Sequence, residues 1–308
     1  KAMTARQKGA RGIIFVAGPN SKVREELVRL SYDASMADSG IAALSVRKEI
    51  GEKLVAATGK NLKEIQTILD KGEMMMGLKI PKAALGARID IVQQKRTGRN
   101  VVGRLVAADP EAQRRPALIL GAHVDHLGTH GGGSRATGKE AKEIHFGADD
   151  NASGVAGLLE IAQYLSSQQK AGKLKLKRDV LFAAWSGEEI GLIGSSHFVK
   201  EVARKLKGDE DAKLNGIFAA NLNMDMVGRL DKSLVLQGTG SSSIWPGIIE
   251  QRNVPVGLSI KTQSDAYLPT DATSFYLREV PILNAFTGAH DDYHTPRDTA
   301  DKINYPGT

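Results

Sequence analysis

Apolar positions along this chain follow two periods, and the point where they begin to alternate divides it. From about residue 98 onward, short apolar runs of strand length trade places with stretches whose apolar residues recur every three or four positions. "NVVGRLVA" (100–107), "PALILGAHVD" (116–125), "GIFAANLNMDMVG" (216–228), "KSLVLQGTG" (232–240) and "PILNAFTG" (281–288) read as strands. "RDVLFAAWSGEE" (178–189) reads as a buried strand running into a loop. Helical spacing marks "ASGVAGLLEIAQYLSSQQ" (152–169), "SSHFVKEVARKL" (195–206), "SIWPGIIEQRN" (243–253) and "TDATSFYLREV" (270–280). Strands alternating with helices predict an α/β three-layer sandwich, with helices on both faces of a mixed, largely parallel central sheet.

The first part has another texture. "KAMTARQKGA" is helix-like, "RGIIFVAG" is a strand, and "IAALSVRKEIGEKLVAATG" is a short strand leading into an amphipathic helix. "NLKEIQTILDKG" adds a periodic segment that ends in glycine. Residues 74–98 read as strand-rich and connect the parts. The expected domains are a smaller one over 1–80 and a larger one over 81–308. "KAMTARQKGARGIIFV" looks like the interior of a domain, and "DTADKINYPGT" falls where a covering helix is expected, so both ends read as trimmed.

Composition narrows the chemistry. The 308 residues are 41% hydrophobic and 25% charged, as in ordinary globular proteins. The net charge of +7 is spread over scattered Lys and Arg with no aromatic-studded basic stretch, which reads as a solvated surface rather than a nucleic-acid site. No apolar run approaches the about 18–20 residues a membrane span requires, and no signal peptide is visible. There are no cysteines, so any metal must be held by His, Asp and Glu.

Five clusters of such residues follow predicted elements. They are His123 and Asp125 in "GAHVD", Asp149 and Asp150 in "GADDNASG", Glu188 and Glu189 in "WSGEE", Asp225 in "NMDM", and His294 in "DDYHTPRDT". Four lie at or just past a strand's carboxyl end, where open α/β sheets form their sites, and the Asp149–Asp150 pair opens a helix. Each has a plain structural alternative: a helix cap, an exposed acidic turn, a surface histidine. Converging on one spot, their charges would repel unless cations neutralised them, and two divalent ions about 3.5–4 Å apart would do so. Imidazole and carboxylate without thiolate suit zinc, and also manganese or cobalt.

In order and spacing, "GAHVD", "GADDNASG", "WSGEEIGLIGS", "NMDM" and "DDYHTPRDTADKINY" resemble the M28 family of metallo-aminopeptidases, co-catalytic zinc peptidases, over about residues 98–305. Residues 1–80 resemble the later part of a protease-associated (PA) domain. The resemblance implies two zinc ions, with Asp150 bridging them, His123 and Asp225 completing one site, and Glu189 and His294 completing the other. It makes Glu188 the general base that takes a proton from the metal-activated water and delivers it to the leaving amine. It has Asp125 orient His123 through that ring's other nitrogen, and lets Tyr293 add a hydrogen bond to the oxyanion. Glu188 and Asp225 are the acids available to a free α-amino group.

The implied substrate is the N-terminus of a peptide or protein, with the PA-like region binding or gating it. The implied location is exported: periplasmic, extracellular or at the cell surface. A carboxypeptidase, a glutaminyl-cyclase-like enzyme and a non-catalytic receptor-like ectodomain are the alternatives on this fold. His126, His130 and His145 read as rim residues of the glycine-containing loop between two ligand clusters, and His197 as a structural residue within a helix.

Overall fold

Strand pairing organises this chain as two compact units, residues 1–95 and 96–308. The computed structural model describes residues 5–6, 8–21, 27–28, 41–81, 83–90, 97–129 and 133–307.

In the first unit, β1 (Gly12–Val16) and β2 (Ala42–Val46) pair in parallel, from Gly12 opposite Ala42 to Val16 opposite Val46. Helices α1 (Lys48–Ala56) and α2 (Leu62–Asp70) follow. Gly51 lets α1 seat on β1, because a Cβ there would come 2.5 Å from Val16 Cγ1. Asn61 starts α2, its side chain accepting the Lys63 N–H at 2.8 Å. Of the helix expected over 1–10, residues 1–4 and 7 lie outside the described residues. The stretch from 74 to 98 differs from expectation, since its described residues form no strand. Several of its described apolar residues cover no face: Met74 is 100% and Met76 88% exposed. Without a neighbouring strand, alternation alone gives the backbone no hydrogen-bond partner.

The second unit is built on β3 (Val101–Leu105), β4 (Ala117–His123), β5 (Val180–Trp185), β6 (Phe218–Met224), β7 (Leu234–Gln237), β8 (Ile260–Gln263) and β9 (Ile282–Phe286). They form one seven-stranded sheet in the order β3-β5-β4-β6-β9-β7-β8. The pairs β4–β5, β4–β6, β6–β9 and β7–β8 are parallel, whereas β3–β5 and β7–β9 are antiparallel. The sheet is therefore mixed and largely parallel. The helices are α3 (Pro110–Gln113), α4 (Gly154–Lys170), α5 (Ile193–Lys207), α6 (Trp245–Asn253) and α7 (Ala272–Tyr276).

Side-chain alternation makes two cores. Ile119 of β4 and Ala183 and Trp185 of β5 point to one face, where they join Val199 and Ala203 of α5 and Phe275 of α7. Leu120 of β4 and Val180 of β5 point to the other, where Leu158 of α4 covers them. Trp185, Phe198, Phe218 and Phe275 pack as one aromatic group with centroids 5.1–6.3 Å apart. Truncating one buried ring of such a group to alanine costs about 3–5 kcal/mol. Strands β4, β5, β6 and β9 run the same way, so their carboxyl ends share one edge of the sheet. From β4 the chain goes to β5 on one side and later to β6 on the other, which opens a crevice at the end of β4.

Candidate metal centre

Each acidic or imidazole side chain in that crevice is delivered by a strand exit or the loop beyond it. His123 ends β4 opposite Trp185, and the next residue continues the ladder, Val124 N–H donating to the Trp185 carbonyl at 2.8 Å. Asp225 follows β6, its N–H donating to the Ala285 carbonyl of β9 at 3.1 Å. Glu188 and Glu189 lie in the turn after β5, whose geometry the glycine at 187 permits with φ 74°. Leu192 and Ile193 close that turn by donating to the carbonyls of Glu188 and Gly187. Asp150 lies in an irregular segment before α4, with φ −110° and ψ 87°. Helix α4 is capped by neither aspartate: Asn151 Oδ1 accepts the Gly154 N–H at 3.1 Å. His294 follows β9 by a loop and holds a left-handed φ of 55°.

The side chains converge as two groups sharing one carboxylate. His123 Nε2 lies 3.2 Å from Asp150 Oδ1 and 3.5 Å from Asp225 Oδ1. His294 Nε2 lies 3.2 Å from Asp150 Oδ2 and 3.1 Å from Glu189 Oε2. The two oxygens of Asp150 thus face different histidines. Donors on one tetrahedral zinc with bonds of about 2.0–2.1 Å sit about 3.3 Å apart, and these four distances suit that spacing. The donor set is all nitrogen and oxygen and nearly dry, with the His123 and Asp150 side chains 1% and 4% exposed, so it fits zinc or a similar divalent ion.

A ring of hydrogen bonds holds these groups. His123 Nδ1 donates to the main-chain carbonyl of Asp125 at 3.0 Å, while the Asp125 carboxylate accepts the Glu188 N–H at 3.2 Å. Asp125 therefore meets the other ring nitrogen of His123 through its backbone, and its side chain ties the β4 exit to the β5 exit. His294 Nδ1 donates to the Gly133 carbonyl at 3.0 Å. Asp149 turns away from the centre: it accepts the Gly228 N–H at 2.7 Å and lies 3.1 Å from His290 Nε2. Asp298, fully buried, accepts the N–H groups of Asp149 and Asp150 at 2.9 and 3.0 Å. Arg229 then joins Asp298 to Asp292 at 2.8 and 2.9 Å.

These contacts set the electrostatics. Burial works against charge on His123, but Asp150 and Asp225 outweigh it and hold the imidazole far above its ordinary value. Burial likewise opposes charge on His294, yet Asp150 and Glu189 raise it to about 10. Burial is outweighed at Asp150 by His123 and His294, and at Glu189 by His126 and His294, so both carboxyls stay below the usual range. Glu188 has no such rescue. Burial pushes it up to about 9, and Asp225, Asp271 and Glu189 add to the rise against the opposing pull of His123. Tyr293 is pushed up by burial and then by Asp150 and Glu189.

The loop histidines depart from the rim reading. His126 is buried against the second group, Nδ1 lying 2.6 Å from Glu189 Oε1, with its side chain 9% exposed. His145 is buried too, its Nε2 lying 2.7 Å from Ser134 Oγ and its Nδ1 3.0 Å from the Glu143 carbonyl, and so it pins the loop. His130 lies outside the described residues, and His197 is exposed on α5. The sequence reading missed His126, Arg229 and Asp298 as members of this site. The signal for Asp298 lay in "HTPRDT", which places an acid four residues past His294.

Comparison with known proteins agrees with this architecture. Residues 100–308 match the model of peptidase family M28. Aminopeptidase YwaD of Bacillus subtilis (strain 168) is 27% identical over 230 residues, which are 74% of this chain and 36% of YwaD. The chain spans well under half the length of the curated relatives it matches. Among solved structures, the zinc aminopeptidase BSAP from Bacillus subtilis aligns at a TM-score of 0.50 and 21% identity, covering 68% of this chain and 46% of that one. The aminopeptidase from Aneurinibacillus sp. strain AM-1 aligns at a TM-score of 0.53 and 23% identity, over 100% of this chain and 62% of that one. At such identities the structures speak for the fold alone, and the family follows from the match over residues 100–308. The chain belongs to peptidase family M28.

Proposed function

We propose that the chain carries the catalytic part of a two-metal aminopeptidase, with zinc as the metal. The observation that supports this reading is Asp150, whose Oδ1 faces His123 and whose Oδ2 faces His294. One metal would be held by His123, Asp150 and Asp225, the other by Asp150, Glu189 and His294, whose Nε2 lies 3.2 Å from Asp150 Oδ2 and 3.1 Å from Glu189 Oε2. When bound, the pair supplies Lewis-acid chemistry, acidifying water and polarising a carbonyl.

The chain's own residues do the rest. Glu188 lines the same cavity as these ligands; burial favours its protonated form in the metal-free protein, and the positive charge of bound divalent ions would favour the carboxylate that a general base must be. It takes a proton from the attacking water and hands it to the departing amine. Asp225 and Glu188 line the cavity as the acids available to a free α-amino group. Tyr293 lines the cavity, stacks on His294 at 3.8 Å and keeps its hydroxyl proton, so it can donate to the carbonyl oxygen. The cavity, of about 490 Å³, is walled in part by Leu192, Met226, Pro269 and Phe286. Those walls suit a medium-sized apolar N-terminal side chain.

Digestion of a peptide library followed by mass spectrometry tests the reading. Stepwise loss of N-terminal residues, apolar ones first, and its abolition by a chelator are expected. Loss from the C-terminus, or cyclisation of N-terminal glutamine without cleavage, would overturn it.

A further inference from the structure

The five proposed ligands and Glu188 leave one imidazole packed in the centre, with its side chain 9% exposed, without a task. His126 lies three residues past His123, edge-on to His294 with centroids 5.7 Å apart at 71°. Its ring backs onto Gly147, where φ is 63° and a Cβ would come 2.5 Å from the His126 Cγ. Nδ1 faces Glu189 Oε1 at 2.6 Å and Asp150 Oδ2 at 3.9 Å.

Two roles fit a nitrogen in that place: an additional ligand, or a hydrogen-bond donor behind a ligand. The distances separate them. Two atoms on one zinc stand about 3.3 Å apart, as the pairs formed by His294 and His123 nearly do. The His126–Glu189 distance is too short for that spacing and has the length of a charge-assisted hydrogen bond. It also involves the other oxygen of Glu189, Oε1, whereas His294 faces Oε2.

We infer that His126 is a positioning residue: Nδ1–H donates to Glu189 Oε1 and leaves Oε2 as the oxygen presented on the His294 side. The inference rests on the two-metal reading and deepens it. The ring carries its proton on Nδ1. Its Nε2 is buried with no hydrogen-bond partner among the described residues, so the side chain has one polar contact to make, the one to Glu189. Fixing Glu189 before the ion arrives removes rotamer freedom that binding would otherwise have to freeze.

The test compares the wild type with His126→Asn and His126→Phe. Asparagine places an N–H where Nδ1 stands but gives up the ring, and phenylalanine keeps a ring against Gly147 without a donor. Bound zinc per chain is measured by elemental analysis, and zinc affinity by chelator competition. The wild type is expected to hold two ions, and His126→Asn to match its affinity within about threefold, whereas His126→Phe weakens one ion by about 10–100-fold. In the cobalt-loaded protein, the visible spectrum of His126→Asn stays that of the wild type, because the ligands are unchanged. Wild-type affinity in His126→Phe would overturn the inference. So would an asparagine variant as weak as phenylalanine, and a cobalt spectrum altered in that variant would mark His126 as a ligand instead. Should His126→Phe fail to fold, His126→Ala replaces it with the same expectations. A wild type holding one ion or none sinks the two-metal reading itself, whichever way the variants differ.

Discussion

The two halves of the centre are built from different materials. His123 and Asp225 stand at the ends of neighbouring parallel strands, and their backbones or those of the next residues still belong to the sheet's hydrogen-bond ladder. Glu189 and His294 come from a turn and a loop, and His294 takes a left-handed φ of 55° that a non-glycine residue rarely adopts. The first half inherits its precision from the sheet. The second must be fastened piece by piece, by the Gly133 carbonyl to His294, by His126 to Glu189, and by Arg135 N–H to the His294 carbonyl at 2.9 Å. Side chains on sheet ends are held more precisely by their scaffold, whereas side chains on loops need partners of their own.

The strongest way to break that comparison is to remove what the halves share. Asp150→Ala is expected to take bound metal from two ions to none and peptidase activity below detection. Two ions retained in that variant would refute the bridging role. Glu188→Gln comes next. It should keep both ions and lose turnover by about 10²–10⁴-fold, and full activity would remove Glu188 as the base. A smaller effect distinguishes the halves directly. His294→Ala should weaken one ion by at least about 10–100-fold and leave the His123–Asp150–Asp225 group loaded, as titration with a chelator would show. Equal loss of both ions would mean the halves are not separate.

The smallest expected effect is on pH dependence. In the metal-free protein Glu188 is raised from 4.5 to about 9 and Asp271, by burial, from 3.8 to about 7. Over those windows the folded chain holds protons that the unfolded chain has released, so stability falls as pH rises. His294, raised to about 10, acts in the same direction above its ordinary value of 6.5. The Tm of metal-free protein should therefore drop between pH 5 and 9, and Glu188→Gln should flatten the slope. A Tm that climbs over this range contradicts the assignment.

Much of the sheet was legible because its central strands are short, largely apolar runs covered on both faces: β4, β5, β6 and β9 all fall within the predicted runs. β8 was not read, since three of its four residues, Lys261, Thr262 and Gln263, are exposed and give no apolar signal. The side chains of His123, Asp150, Glu189, Asp225 and His294 do meet, and they stood out because charged residues at strand ends are costly without partners. What stayed hidden was depth within the loop. Nothing local distinguishes His126, whose side chain is 9% exposed, from an exposed loop histidine. Nor does spacing reveal that Arg229 bridges Asp292 and Asp298, residues 63 and 69 positions away.

Asp298 gives the site an order of assembly as well as a shape. Its carboxylate holds the amides of Asp149 and Asp150, 149 and 148 residues earlier in the chain. At translation speeds of about 5–20 residues per second, a nascent chain carries Asp150 for about 7–30 s before its anchor has been made. Until then the Asp150 backbone lacks this anchor, and the cluster cannot be complete on the ribosome that is producing it.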